Sequence, residues 1–174
     1  MRLFLSWKHI ISLCFVLLHL SLSIAHATVV PKQHRLLIIN SYNEGAPWSQ
    51  TLITPIMLQT SSIEDVSADL VHINGTFIRN DSLYNQMEEG IFQRYEKNKP
   101  DYLVLIGSIA FTLRDRIQKE WGDIPMILIA NEDTYAPREY YFTGRSINMA
   151  DNKVAPLNDI REQYNFTFIE TPDM

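Results

Sequence analysis

The residues of this chain best suited to chemistry lie in short polar clusters, each directly after an apolar run. Ser41-Tyr42-Asn43-Glu44-Gly45-Ala46-Pro47-Trp48 follows Arg35 to Asn40, Gly107-Ser108 follows Tyr102 to Ile106, and Asn131-Glu132-Asp133 follows Pro125 to Ala130. Hydroxyl, amide and indole groups placed this way suit hydrogen bonding and stacking to a small polar solute. Backbone N–H groups at the start of a helix after Gly107 suit an anion or a carbonyl oxygen. The candidate ligand-contacting residues are Ser41, Tyr42, Trp48, Gly107, Ser108, Asn131 and Glu132. Each also has a plainer use. Ser41, Asn43 and Gly45 are turn formers, Trp48 suits a core or a helix staple, Ser108 suits an N-cap, and Glu132 and Asp133 suit solvated loop charge.

The same residues give little support for catalysis, and the chain reads as a non-enzyme. Ile106-Gly107-Ser108-Ile109-Ala110 lacks the flanking glycines of a Gly-x-Ser-x-Gly nucleophile elbow. His34 and His72 stand at no evident site, and no His-x-x-x-His or Glu-rich metal spacing occurs. There is no Gly-x-x-x-x-Gly-Lys phosphate loop. Glu88 and Glu89 are neighbours on one helix face rather than opposed across a cleft. No catalytic residue, metal or cofactor is expected.

These clusters need a scaffold, and composition bounds it. The chain has 174 residues, 46% hydrophobic and 20% charged, enough for one domain with its own core. A net charge of -5 without a basic patch argues against nucleic acid as a partner. Arg2 and Lys8, an apolar run from Ile10 to Ile24, and Ala25-His26-Ala27 stand in the order of a secretory signal peptide, with Thr28 as the expected new N-terminus. The apolar run is shorter than the roughly 20 residues a spanning helix needs. Cleavage after residue 27 removes the sole cysteine, Cys14, together with Arg2 and Lys8, and takes the charge from -5 to -7. An exported, cysteine-free domain relies on its core and is expected in a bacterial periplasm. The Asn-x-Ser/Thr triplets at Asn74, Asn80 and Asn165 read as chance occurrences there.

Within residues 28–150, apolar runs alternate with helical spacing. Arg35 to Asn40, Tyr102 to Ile106 and Pro125 to Ala130 read as strands buried on both faces, with Val66 to Ile73 a weaker strand. Helices are predicted over 48–59, where Pro55 demands a kink or a start at Thr54, over 81–97 with Asp81 or Ser82 as cap, and over 108–121 closed by Gly122. Ser146 to Met149 and Phe166 to Glu170 read as further strands, and Asp151 to Gln163 as a loop or a poor helix. Alternation of this kind predicts an α/β fold, a doubly wound parallel sheet of order 2-1-3-4. In such sheets, ligands bind beyond the carboxyl ends of the strands, where the polar clusters stand.

With the strands placed, Leu37-Ile-Ile-Asn-Ser-Tyr-Asn-Glu-Gly-Ala-Pro-Trp48 resembles the opening of the periplasmic substrate-binding-like region of bacterial two-component sensor histidine kinases, hybrid sensors included. Tyr102 to Gly107, Trp121 to Ile127 and Asn165 to Pro172 are similar to later segments of that family, so the likeness covers residues 35–172. The resemblance implies the first lobe of a type I periplasmic-binding fold. A small-molecule solute would be held against a second lobe, and closure would be passed to a membrane kinase. Residues 151–174 would then lead into a missing second lobe. The chain would be a signal-input fragment without a kinase core. The alternative outputs are a solute-binding component of an ABC importer and, less favoured, a secreted α/β hydrolase.

Overall fold

The computed structural model describes residues 33–131, 134–142 and 155–171. Strand β1 is His34–Asn40 and β2 is Val66–His72, with helix α1, Pro47–Ser61, between them. Helix α2 is Asp81–Tyr95 and leads to β3, Tyr102–Ile106. Two short helices follow, α3 at Ser108–Phe111 and α4 at Arg114–Trp121, before β4 at Met126–Ala130. A two-residue strand β5 at Thr134–Tyr135 pairs antiparallel with β6 at Ala155–Pro156, and helix α5, Arg138–Phe142, lies between them in sequence. Strand β7 is Phe166–Glu170.

Strands β2-β1-β3-β4-β7 form one sheet in that order, every neighbouring pair parallel. The architecture is α/β, with helices on both faces of the sheet. The strands have this character because their apolar residues run without interruption and feed two cores at once. Leu37, Ile39, Leu103, Leu105, Met126 and Leu128 pack on one side, with Tyr84, Ile91 and Phe92 of α2 and Ile117 and Trp121 of α4. Ile38, Val104, Ile106 and Ile129 point the other way and meet Ile53 of α1, with Trp48, Leu52, Ile56 and Met57 packed around them.

The second face is only partly covered. Helix α1 packs beside β2 and shares a core with Ile38, Val104 and Ile106, while Tyr102, Ile127 and Ile169 keep 43%, 39% and 46% of their surface exposed. A trough of about 680 Å³ lined by Pro55, Ile56, Tyr102, Ile127, Thr167 and Ile169 runs along this side. No lining residue of the trough carries a charge.

Several sequence expectations change here. Helix α1 runs through Pro55 from Pro47 at its first turn, with Ala46 as N-cap, so Thr54 caps nothing. The ring is tolerated because Pro55 and Thr51, the residue whose carbonyl loses its partner, are both exposed to water. The helix expected over 108–121 is two helices, because Thr112 and Leu113 form a turn in which Thr112 Oγ1 donates to the Ile109 carbonyl at 2.6 Å. Helix α2 is capped by Asn80, whose side chain accepts from Leu83 N at 3.0 Å, rather than by Asp81 or Ser82. It ends at Tyr95. Phe166–Glu170 extends the expected four-strand order by a fifth strand, in register with β4 from Met126↔Phe166 to Ala130↔Glu170. That strand lies inside this sheet, within the stretch expected to cross to another lobe. The signal segment 1–27 and the strand expected at 146–149 lie outside the described residues, as does Glu132.

Candidate functional site

Parallel pairing fixes where the polar clusters emerge. Asn40 is opposite Ile106, and Ile106 is opposite Ile129, so β1, β3 and β4 end at one edge of the sheet. Tyr42, Ser108 and Asn131 all leave from that edge.

The segment after β1 turns on two buried polar residues. Asn40 has no exposed surface. Its Nδ2 lies 2.9 Å from His72 Nδ1, 3.2 Å from Ser49 Oγ and 3.3 Å from the Tyr42 carbonyl, while its Oδ1 accepts from Tyr42 N at 3.3 Å. The amide can only donate to the imidazole, so His72 Nδ1 is the acceptor and its proton sits on Nε2. One side chain thereby ties the ends of β1 and β2 to the first turn of α1.

Ser41 is 5% exposed and its hydroxyl is committed. Oγ accepts from Ala110 N at 2.8 Å, and the Ser41 carbonyl accepts from Gly75 N at 2.8 Å. Ser41 thus supplies, from the loop after β1, the capping oxygen that α3 lacks, since Gly107 is its N-cap and caps nothing with a side chain. Ser108 is the first helical residue, half-buried, and not the cap. Sequence reasoning named Ser41 as a ligand contact. Its place is underneath the wall, holding the β3–α3 turn.

Gly107 is required where it stands. Its φ of 83° and ψ of 161° belong to a region open essentially to glycine alone. A Cβ there would meet Ser41 Cβ, Ser41 Oγ and Tyr42 Cε2, each at 2.9 Å. Gly75 packs closely too, since an added Cβ would lie 3.1 Å from the Ser41 carbonyl oxygen and would displace the Ile109 side chain. These close approaches let three loops share one small surface.

Above that base stand the aromatics. Tyr42 is 37% exposed and meets Trp48 edge-on, with ring centroids 5.1 Å apart at 68°. Trp48 is half-buried, packing against the Ile38 and Ile53 core as well as the Tyr42 ring. Asn131 is exposed at the end of β4. The structure therefore brings Tyr42, Trp48, Gly107 and Ser108 to the sheet edge from which Asn131 also leaves, with Ser41 below. Asn40, Ser49, His72 and Gly75 belong to the same constellation and were not singled out from sequence. The available signal was a polar Asn40 in register inside a strand buried on both faces.

A second polar concentration lies elsewhere, in a cleft of about 720 Å³ between α2, α4 and the start of α5. Tyr84 lines it, with its hydroxyl 2.8 Å from Thr112 Oγ1. Burial pushes the Tyr84 phenol up to about 12, against the lowering effect of the Thr112 hydrogen bond, with Glu88 raising it and Arg138 and Arg114 lowering it. Arg116 crosses from α4 to α2, with Glu120 at 2.7 Å, Glu89 at 2.8 Å and Glu88 at 3.5 Å.

Among the described residues no cluster of three or more His, Cys, Asp or Glu could hold a metal ion, and no helix is long and apolar enough to cross a membrane. Comparisons with protein-family models, curated proteins and solved structures gave no match.

Proposed function

We propose that this chain is the solute-contacting first lobe of an extracytoplasmic sensor, built as one half of a type I periplasmic-binding fold and serving as signal input to a two-component histidine kinase. The observation that carries the reading is the convergence of three loops at one edge of a parallel sheet, with Tyr42, its ring against Trp48, lying beside a glycine that admits no side chain. A stacked ring, a half-buried hydroxyl at Ser108 and an exposed amide at Asn131 suit a small polar solute with one flat or apolar face.

A wall of this kind contacts one side of a ligand. The bare apolar strip over β4 and β7 is consistent with further polypeptide packing on this lobe, since a parallel sheet is ordinarily covered on both faces. A hydrolase reading draws no support from the geometry. Its nucleophile would be Ser108, and among the described residues no hydrogen bond joins the Ser108 hydroxyl to a histidine or a carboxylate, while the His72 imidazole faces the Asn40 amide.

The test is a fluorescence titration with sugars, amino acids and small organic acids, read on the tryptophan emission of the exported protein. We expect at least one class to give a saturable change that Trp48→Phe removes and Tyr42→Ala weakens by about tenfold, as the loss of an aromatic contact implies. Saturable binding that both substitutions leave intact would place the ligand elsewhere, and no saturable response to any class would end the proposal.

A further inference from the structure

The turn after β2 carries an exposed aromatic ring on a backbone pinned from several sides. Phe77 is 67% exposed. It closes one turn of 3-10 helix, Gly75–Phe77, in which Phe77 N donates to the Asn74 carbonyl at 3.0 Å and Ile78 N to the Gly75 carbonyl at 3.1 Å. Ile73 and Ile78, on either side of the turn, are buried. Asn74 takes φ 55° and ψ 54°, the one left-handed non-glycine residue among the described residues. Asparagine tolerates that conformation better than most side chains.

The same contacts place the turn at the strand-end edge. Asn40 and His72 end β1 and β2 side by side. Ile73 N donates to the Asn40 carbonyl and Gly75 N to the Ser41 carbonyl, each at 2.8 Å. Gly75 lies against Ile109 of α3, beside Ser108. Phe77 is two residues further on, so its Cα is within about 7 Å of that of Gly75. A lone exposed apolar residue is ordinary, and Leu58 of α1 is exposed to the same extent. Phe77 differs in standing next to Tyr42 and Ser108 on a fixed support.

The nearby polar side chains are turned toward the fold. Thr76 Oγ1 donates to Asn74 Oδ1 at 3.2 Å, the Asn40 amide spans Ser49 and His72, and Ser41 Oγ holds Ala110 N. Tyr42 and Phe77 are the large side chains that this half of the edge exposes. Ring surface with few polar groups suits an aromatic solute better than a polyol, whose many hydroxyls each need a partner once out of water.

We propose that Phe77 is a ligand-contacting residue of the strand-end surface, and that the solute is a small aromatic molecule, with its ring at Tyr42 and Phe77 and its polar group toward Ser108 and Asn131. The inference rests on the reading of that surface as a solute wall, and adds to it one contact residue and a chemical class.

The experiment is calorimetric titration of the whole protein with phenylalanine, 4-hydroxybenzoate and glucose. We expect saturable binding of an aromatic probe, at least about tenfold tighter than that of glucose. Phe77→Ala should weaken it by about three- to tenfold, and Phe77→Tyr should keep it within about twofold. Leu58→Ala, which removes an equally exposed apolar side chain from α1, should leave it unchanged. Aromatic binding that Tyr42→Ala weakens and Phe77→Ala does not would remove Phe77 from the site while the solute wall stands. Equal losses in Phe77→Ala and Leu58→Ala would also overturn the assignment, and tighter binding of glucose would overturn the chemical class. If neither aromatic probe binds, the inference fails, and the wider solute titration decides the wall by itself.

Discussion

Ser41 shows how far a residue's use departs from its type. A serine after a strand is equally suited to touching a ligand or closing a turn, and only tertiary contact with Ala110 N decides that Ser41 closes one. Tyr84 gives a test at this scale. Its phenol moves from 10.0 to about 12 in the folded protein. Between those values the unfolded chain sheds the proton and the folded chain keeps it. Stability is therefore whole below pH 10 and falls as pH climbs through the window, by about 2–3 kcal/mol for this group. Tyr84→Phe should lose about 0.5–1.5 kcal/mol at neutral pH, with the Thr112 hydrogen bond gone. It should also flatten the alkaline limb. Urea melts from pH 7 to 12 measure both, and an alkaline limb of unchanged slope would contradict the assignment. At the level of single residues little of the site was readable in advance. Tyr42 and Trp48 were visible as aromatics after a strand. The Asn40 hub draws on segments far apart in sequence, and no local pattern records such contacts.

Secondary structure was readable where one residue pattern has one solution. Strands β1, β3 and β4 are continuous apolar runs because both faces are packed, and those runs stand out in the chain. Boundaries set by single hydrogen bonds were not readable. Asn80 outcompetes Asp81 and Ser82 as cap through one contact to Leu83 N. Thr112 splits a helix whose apolar spacing, Ile109, Leu113, Ile117 and Trp121, continues unbroken across the gap. Pro55 was legible as a difficulty but not as a survivable one, since that depends on which side of α1 faces water. Its cost remains in the helix. Pro55→Ala restores an N–H to the Thr51 carbonyl and should raise stability by about 1–3 kcal/mol, measured by thermal or urea unfolding. A neutral or negative effect would contradict the assignment of a lost hydrogen bond at Thr51.

For the molecule as a whole, the parallel α/β class followed from alternation, whereas β7 could not be assigned from the sequence to this sheet rather than to another. Thirty-five residues, Asn131 to Asn165, separate it from β4, and no turn signature specifies so long a return. The partly bare face gives a contrast within single strands. Leu128 is 2% exposed and faces the filled core, while Ile127 beside it points to the open strip. Leu128→Ala should cost about 2–5 kcal/mol. Ile127→Ser combined with Ile169→Ser should cost less than about 1 kcal/mol and reduce binding of an apolar dye. Denaturation and dye titration of the two variants check this, and a large cost for the serine pair would mean that the strip is covered in the protein in solution.

The sheet order has a consequence for how the domain is made. β1 comes first in the chain, β2 adds to one side of it, β3 to the other, then β4 to β3 and β7 to β4. Every strand of the sheet, as it is synthesised from the amino end, meets an open edge that already exists. None has to be threaded between two partners, so assembly can keep pace with delivery and no earlier pairing has to be undone.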